Sequence, residues 1–459
     1  MHRNLTPGIG NKFLGRVLGA ALIVAATSAA EAQDTTINLS DYQGPGVLSS
    51  GVGNIGIRSG EQVDLRYYAG ISGSVDTNLQ PFALDAQGNL LRIHNLYGIE
   101  LDGGVYGVHS WKRSQLGLDY AGDYRKHVNS SSYDGSDQHF TLGYTLQSSR
   151  RWTLDFRESA STASMATTEL FNSPSNDLNS AFTPATLLFD SRTTFLQSSA
   201  NATYFKSART SFAFGGNAFL QDQKSAGLSN SWGYNFTGNV SHRMSKTTTL
   251  GATYVHSHFE FPEFNGASDS NTYHGNFATA IGRFWTFSLE AGVTVSEVNS
   301  QFNFVLNPVL AVLFGKSTVP LNSYVRNIFP SGSARLQRRF RRATLGFNYT
   351  RELNSGNGVS GTARLDDANM SISYTAIRKL NIGMSGGYYS LASVGQNTGN
   401  TARYAASAGF TYTLGLGIHL SARYDVGREQ VDLANYNRTS TRATLGLLFS
   451  PGTLPLALW

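Results

Sequence analysis

The chain has 459 residues, of which 40% are hydrophobic, 14% charged and 12% aromatic, with 48 glycines, 11 prolines, no cysteine and a formal net charge of +6. Soluble domains carry about 25% charged residues, so a long chain with so few charges and a mean hydropathy of only -0.22 is neither disordered nor ordinarily globular. The absence of cysteine excludes a disulfide scaffold, a cysteine-ligated zinc or iron–sulfur site and a thiol nucleophile.

Residues 1–32 carry Arg3, Lys12 and Arg16, then the apolar stretch from Val17 to Ala26, then Ala30-Glu31-Ala32 ahead of Gln33. A basic start, a short apolar core and an A-x-A site read as a secretory signal peptide, so the exported chain is expected to begin near Gln33. Without Arg3, Lys12, Arg16 and Glu31, the 36 basic and 30 acidic residues fall to 33 and 29, a balance too even to argue for nucleic acid. No later stretch reaches the roughly 18 apolar residues that a membrane helix needs. Residues 33–61 form a Gly-rich segment expected in the periplasm, with stretch 44–60 also able to enter a lumen.

A period of two begins near residue 62. Val63, Leu65, Tyr67, Ala69 and Ile71 alternate with Asp64, Arg66, Gly70 and Ser72, which predicts a strand with two unlike faces. Leu116, Leu118, Tyr120 and Tyr124 alternate in the same way with Asp119, Asp123 and Arg125, and Phe140, Leu142, Tyr144 and Leu146 with Thr141, Gly143, Thr145 and Gln147. The pattern returns at 285–295, 418–426 and 442–449, and is weaker over 196–206, 250–261 and 331–341. A soluble sandwich would carry more Lys and Glu on its polar face, whereas here that face is Gly, Ser, Thr, Asn and scattered charges.

Connections alternate between short and long. Short turns are expected at 111–114, 148–151, 206–209, 244–246, 282–284, 341–342, 378–379 and 414–417. Longer links rich in Ser, Asn, Gly and Asp are expected at 76–93, 127–137, 164–190, 223–230, 261–271, 298–331, 354–363, 392–401 and 429–438. Segments of about 10–15 residues with this rhythm match tilted transmembrane strands joined by short periplasmic turns and long external loops. Tyr67/Tyr68, Tyr97, Tyr124, Trp152, Trp232, Tyr254, Trp285, Tyr388/Tyr389 and Tyr412 crowd the strand ends, as amphipathic rings at a headgroup level do.

On these features the chain resembles a Gram-negative outer-membrane β-barrel of the porin-like kind, over roughly residues 62–450. The resemblance implies an all-β fold: one transmembrane antiparallel up-and-down barrel of about 18 strands (16–18), with both termini periplasmic. Residues 451–459 are a C-terminal tail. Barrels of this class usually end on an aromatic residue read by the barrel-assembly machinery. Pro451 should end the last strand, which makes Phe449 the expected assembly signal in preference to Trp459.

Such a barrel is too wide for side chains to fill, so passage is its default function. Candidate lumen residues divide by sign. Asp64, Glu100, Asp102, Asp119, Asp123 and Asp155 belong to the first five strands, and Arg335, Arg339, Arg341, Arg403, Arg423 and Arg442 to the last seven, with Arg66, Arg125, Arg157, Asp425 and Glu429 breaking the division. Closure brings the two groups to face or flank each other, and a transverse field of this kind orients polar solutes; the alternative is an inner wall of paired charges. Arginine forks suit carboxylates and phosphates, hence small polar and anionic solutes. The apolar run 302–314, with Phe304, Pro308 and Phe314, stands in a supposedly external link. It is expected to act as a constriction or plug, to lie on the membrane, or to make protomer contacts; an extra strand would upset the parity.

His256-Ser257-His258 puts two imidazoles on one strand face without an evident third metal ligand, and no G-x-S-x-G, H-E-x-x-H or phosphate loop is present. The sequence therefore implies no enzyme, cofactor or metal. It implies a porin-like channel of the outer membrane, partnered by membrane lipid, lipopolysaccharide and small polar solutes, with a homo-oligomer an open option. The alternative is a closed or plugged barrel that serves as surface scaffold or adhesin, or as the outer-membrane component of a polysaccharide or protein export system.

Overall fold

A computed structural model describes residues 66–77, 95–128, 134–164, 192–223, 229–305, 318–354, 362–394, 400–431 and 436–450. They form a single antiparallel sheet of 18 strands in which each strand pairs with its neighbours in sequence. The strands are β1 (Arg66–Thr77), β2 (Leu96–Ser110), β3 (Ser114–His127), β4 (Gly135–Ser149), β5 (Trp152–Ser164) and β6 (Arg192–Phe205). They continue as β7 (Thr210–Gln223), β8 (Ser231–Arg243), β9 (Thr248–Phe261), β10 (Gly266–Ile281), β11 (Trp285–Val305) and β12 (Thr318–Arg339). The last six are β13 (Ala343–Asn354), β14 (Ala363–Ile377), β15 (Leu380–Ser393), β16 (Asn400–Gly415), β17 (Ile418–Val431) and β18 (Tyr436–Phe449).

The sheet closes where β1 pairs with β18, from Ala69 opposite Phe449 to Thr77 opposite Thr441. Closure satisfies the edge hydrogen bonds of the first and last strands, which an apolar solvent could not do. The fold is therefore a closed up-and-down barrel, the architecture of a porin-like outer-membrane protein. No helix long and apolar enough to cross a membrane occurs among the described residues.

Alternation separates the two faces. Ile71, Leu101, Tyr120, Phe214, Phe236, Tyr273, Met370, Met384, Tyr424 and Leu445 point outward and are exposed. Ser74, Asp76, Asp119, Asp137, Arg403, Asp425 and Arg442 point inward and are buried. This is a soluble protein inverted, with its large apolar side chains on the outside where lipid solvates them. Aromatic pairs such as Tyr67/Tyr68 and Tyr388/Tyr389 do not both belong to the outer girdle, because consecutive residues face opposite ways. Tyr68 is buried inside, and Tyr389 packs on an inner cluster.

The periplasmic turns are tight. Arg378 and Lys379 alone join β14 to β15, with Lys379 at φ 67°, and Leu416 and Gly417 join β16 to β17 with φ of 52° and 77°, after Gly415 at φ 139° ends β16. A run of positive φ is cheap at Gly415 and Gly417 because they have no Cβ. At the periplasmic rim the Arg338 guanidinium covers the rings of Trp285 and Phe340 at 4.6 and 4.3 Å, so that ring and cation share the interface.

The expected external link 298–331 requires correction. β11 runs on to Val305 and β12 starts at Thr318, and the two pair throughout, to Val305 opposite Thr318. Phe304 therefore lies in a strand and not in a loop, and Pro308 and Phe314 lie outside the described residues. The reason is in the sequence: the run 302–314 is apolar almost throughout and lacks the regular polar alternation that marks a two-faced strand. β12 pairs with β13 only from Gly332 opposite Arg351 down to Arg339 opposite Thr344. Pro330 stands just above that split, where its missing N–H costs no ladder bond to β13.

β18 ends at Phe449, which pairs with both Ala69 and Ile418, and its ring lies 6.4 Å from that of Tyr67. Phe449→Ala is expected to lower the yield of membrane-inserted, heat-modifiable barrel several-fold, while deletion of residues 451–459 leaves it unchanged. Gel migration of boiled and unboiled membranes reads both, and the reverse order would transfer the role to Trp459.

Candidate functional site

The site is the inner wall, and its charges gather around the β1–β18 seam. Register puts Asp425 opposite Arg442, and Arg442 opposite Asp76. Arg442 Nε lies 3.5 Å from Asp76 and its Nη2 bonds Glu100 on β2. His127 on β3 approaches the other side of Asp76 at 3.6 Å and Asp134 at 3.6 Å, and the His127 amide donates to Asp134 at 2.7 Å. Arg125 contacts Asp123 at 3.1 Å and bonds Asp137 on β4. On the other flank, Arg423 bonds Asp425 at 2.8 Å and Arg438 bonds Glu429 at 2.7 Å, with Arg403 opposite Glu429.

The structure thus brings together Glu100, Asp123, Arg423 and Arg442 as ion-paired neighbours that flank each other along one wall. Asp102 lies opposite Asp123 in the adjoining register. Asp119 lies lower on β3, opposite Thr141. Arg335 and Arg339 belong to a separate sector, on β12, facing inward beside Ser288, Asn348 and Thr344. Arg341 requires correction: it lies exposed in the turn between β12 and β13 and lines no wall. Asp64 lies outside the described residues.

Sequence reasoning missed three inner-wall features. Asp76 is fully buried at the centre of the seam network, although its position near a strand end read as the start of a loop. His274 bonds Ser331 at 2.8 Å and lies 3.9 Å from the Glu290 carboxylate, and Ser331 accepts from Thr294 at 2.8 Å, a polar patch on β10–β12. Third, an apolar cluster faces inward near the external mouth. Phe219 and Phe259 are each 1% exposed, with ring centroids 5.9 Å apart, and Phe195 stacks on Phe219 at 6.1 Å. The alternation of Phe259 and Phe261 against His256 and His258 is the signal that could have placed these rings inside.

Leu353, from the end of β13, packs on that cluster. β13 is four strands from β9 in ring order, about 19 Å along the wall at ordinary strand spacing. The contact requires the tip of β13 to leave the wall, which the loss of β12 pairing above Arg351 permits. A second inward apolar group, Ala363, Leu365 and Leu391 with Tyr389, follows on β14 and β15. The external mouth is therefore narrowed by apolar side chains above a charged wall.

His256 and His258 lie on the outer face of β9. His258 Nδ1 meets Asp269 at 2.8 Å and His256 Nδ1 meets the Asn271 side-chain oxygen at 3.2 Å. Among the described residues no group of three ligating side chains is placed to hold a metal.

No family model and no curated protein matches the chain. Among solved structures it is similar to OccK2 (OpdF) of Pseudomonas aeruginosa, with 10% identity, 84% of this chain and 98% of that one covered, and a TM-score of 0.40. It is also similar to OpdK of Pseudomonas aeruginosa with vanillate, at 11% identity, 84% and 98% coverage and a TM-score of 0.38. OccAB3 of Acinetobacter baumannii follows at 9% identity, 84% and 99% coverage and a TM-score of 0.37. The barrel assignment rests on the strand pairing and the inverted faces described above.

Two outcomes follow from the wall. Arg442→Gln leaves buried Asp76 and Glu100 without their cation and should cost about 3 kcal/mol of barrel stability; a lower unfolding midpoint in denaturant reads it, and Arg339→Gln, at an exposed position, should leave that midpoint in place. Leu353→Ala combined with Phe259→Ala should raise single-channel conductance by removing the apolar narrowing; an unchanged conductance would place the constriction elsewhere.

Proposed function

We propose that this protein is an outer-membrane channel for small polar solutes with a preference for anions. The observation that carries the reading is a closed 18-strand wall whose inner face is polar and charged. A barrel of this size encloses more space than its side chains fill. In an 18-member ring β3 stands opposite β12. Asp119, five residues from the periplasmic start of β3, thus opposes Arg335, four residues from the periplasmic end of β12. An acidic and a basic wall at one level make a transverse field that orders dipolar water and polar solutes and penalises apolar ones.

The anion preference is assigned to Arg335 and Arg339, two guanidinium groups that face inward on one strand. The seam arginines are engaged by carboxylates of their own wall. Guanidinium forks match carboxylate and phosphate oxygens in pairs, which favours solutes bearing those groups.

Single-channel recording of the refolded protein in a planar bilayer under a salt gradient tests the reading. A stable current with an anion-selective reversal potential is expected, and Arg335→Gln with Arg339→Gln should move that potential toward cation selectivity, whereas Asp119→Asn should move it the other way. Silence from a verified folded barrel would favour the second reading, a plugged barrel acting as scaffold or export component. The observation on that side is the near-complete burial of Phe219, Phe259 and Asp76 on the inner wall.

A further inference from the structure

The periplasmic rim carries charge of one sign. Eight tight turns join the strands there, and seven of them carry Lys or Arg, four as adjacent pairs such as Arg150-Arg151, Arg341-Arg342 and Arg378-Lys379. Twelve of the 36 basic residues of the chain stand in these turns, all of them exposed, and no Asp or Glu does. Among the described residues the carboxylate nearest the rim along the chain is Asp155, three residues past the start of β5, and it accepts from Thr145 at 2.7 Å on the inner wall. Acidic side chains gather at the external strand ends instead, as Asp76, Asp137, Asp222, Glu260 and Glu429 do.

Apolar side chains share the same turns. Trp111, Met244, Phe284, Phe340 and Leu416 are exposed there, Leu416 at 95% in the one turn that lacks a cation. Arginine beside exposed aromatic and aliphatic side chains is the composition of a protein-binding surface, in which the apolar tips supply contact area and the guanidinium groups paired hydrogen bonds. Size then selects the partner. Eighteen strands at a spacing of about 4.8 Å and a tilt of about 40° enclose a rim about 35 Å across, with neighbouring turns about 12 Å apart. A phosphate or a short dicarboxylate engages one turn at a time, and a lipid headgroup reaches only the outer side of the rim. A face that meets nearly opposite turns, such as 150–151 and 378–379, is as wide as a domain of about 100 residues. Turns of two to four residues add little reach, so the partner has to come up to the mouth.

We propose that the periplasmic rim is the docking ring for a folded periplasmic protein with an acidic face, seated across the mouth of the barrel. The cationic turns steer and orient that partner through long-range attraction, and the exposed apolar tips add short-range contact. The ring lies outside the lumen, so docking is a property of a conducting barrel and of a plugged one alike. On the barrel axis such a partner stands in the path of any solute that crosses the membrane through the pore.

Benzoylphenylalanine in place of Ser207, between Lys206 and Arg209, tests this by photo-crosslinking in intact cells, with the same probe in place of lipid-facing Ile71 as the reference. A discrete protein adduct at position 207 and none at position 71 is expected. Mass spectrometry identifies the adduct, and that protein, purified, is titrated against the full-length barrel in detergent. Raising salt from about 0.05 to about 0.5 M shortens the Debye length from about the turn spacing to a third of it, so binding should fall at least about tenfold. Arg150→Gln/Arg151→Gln/Arg378→Gln/Lys379→Gln should weaken it about tenfold at low salt, with heat-modifiable migration unchanged, and Arg150→Gln/Arg151→Gln alone serves if the quadruple variant does not fold. Absence of an adduct at position 207, an adduct with a neutral or basic protein, or binding indifferent to salt and to these substitutions overturns the proposal. Phosphatidylglycerol that the wild type retains and the variant loses in native mass spectrometry, without a protein adduct, makes the rim a lipid annulus and also overturns it.

Discussion

Everything in this molecule depends on the pairing of β1 with β18. Inside a bilayer an unpaired strand edge has no water to satisfy its N–H and C=O groups, and each orphan costs several kcal/mol, about the scale of a whole hydrogen bond in an apolar medium. The ladder from Ala69–Phe449 to Thr77–Thr441 removes both edges at once. Because side chains alternate, closure also divides every strand into a lipid face and a lumen face. The seam is where the two chain ends must find each other, and it is there that buried charges concentrate.

The seam network gives that closure direction. Arg442 on β18 links Asp76 on β1 to Glu100 on β2, and His127 on β3 lies against the same Asp76. Taking such charges out of water is expensive, so the network adds little net stability compared with an apolar replacement. A register slip, however, would leave Asp76 and Arg442 buried and unpaired and move every side chain to the wrong face. The network thus acts against misclosure more than it adds to stability.

Charge and apolar packing occupy different levels of the wall. The seam carries paired charges, and Arg335 and Arg339 face inward on β12, across the ring from β3. Nearer the other mouth, Leu353 packs on Phe219 and Phe259 where β12 and β13 part.

The sequence by itself determined the fold class: the period of two and the alternation of short turns with long links are local consequences of a sheet with lipid on one side and water on the other, and they bounded the strand total at 16–18, which the pairing fixes at 18. Phe449 as the end of the last strand was legible for the same reason, since Pro451 cannot continue a ladder. The upper half of the β11–β12 hairpin was not legible, because the run 302–314 is apolar almost throughout and shows no two-faced period, and Arg341 was misplaced because it stands in the turn just past the end of β12. Only the tertiary structure decided which charges neutralise each other and that the inner mouth is lined by Phe219, Phe259 and Leu353. Those contacts join residues far apart in the chain, and only closure and register bring them within reach.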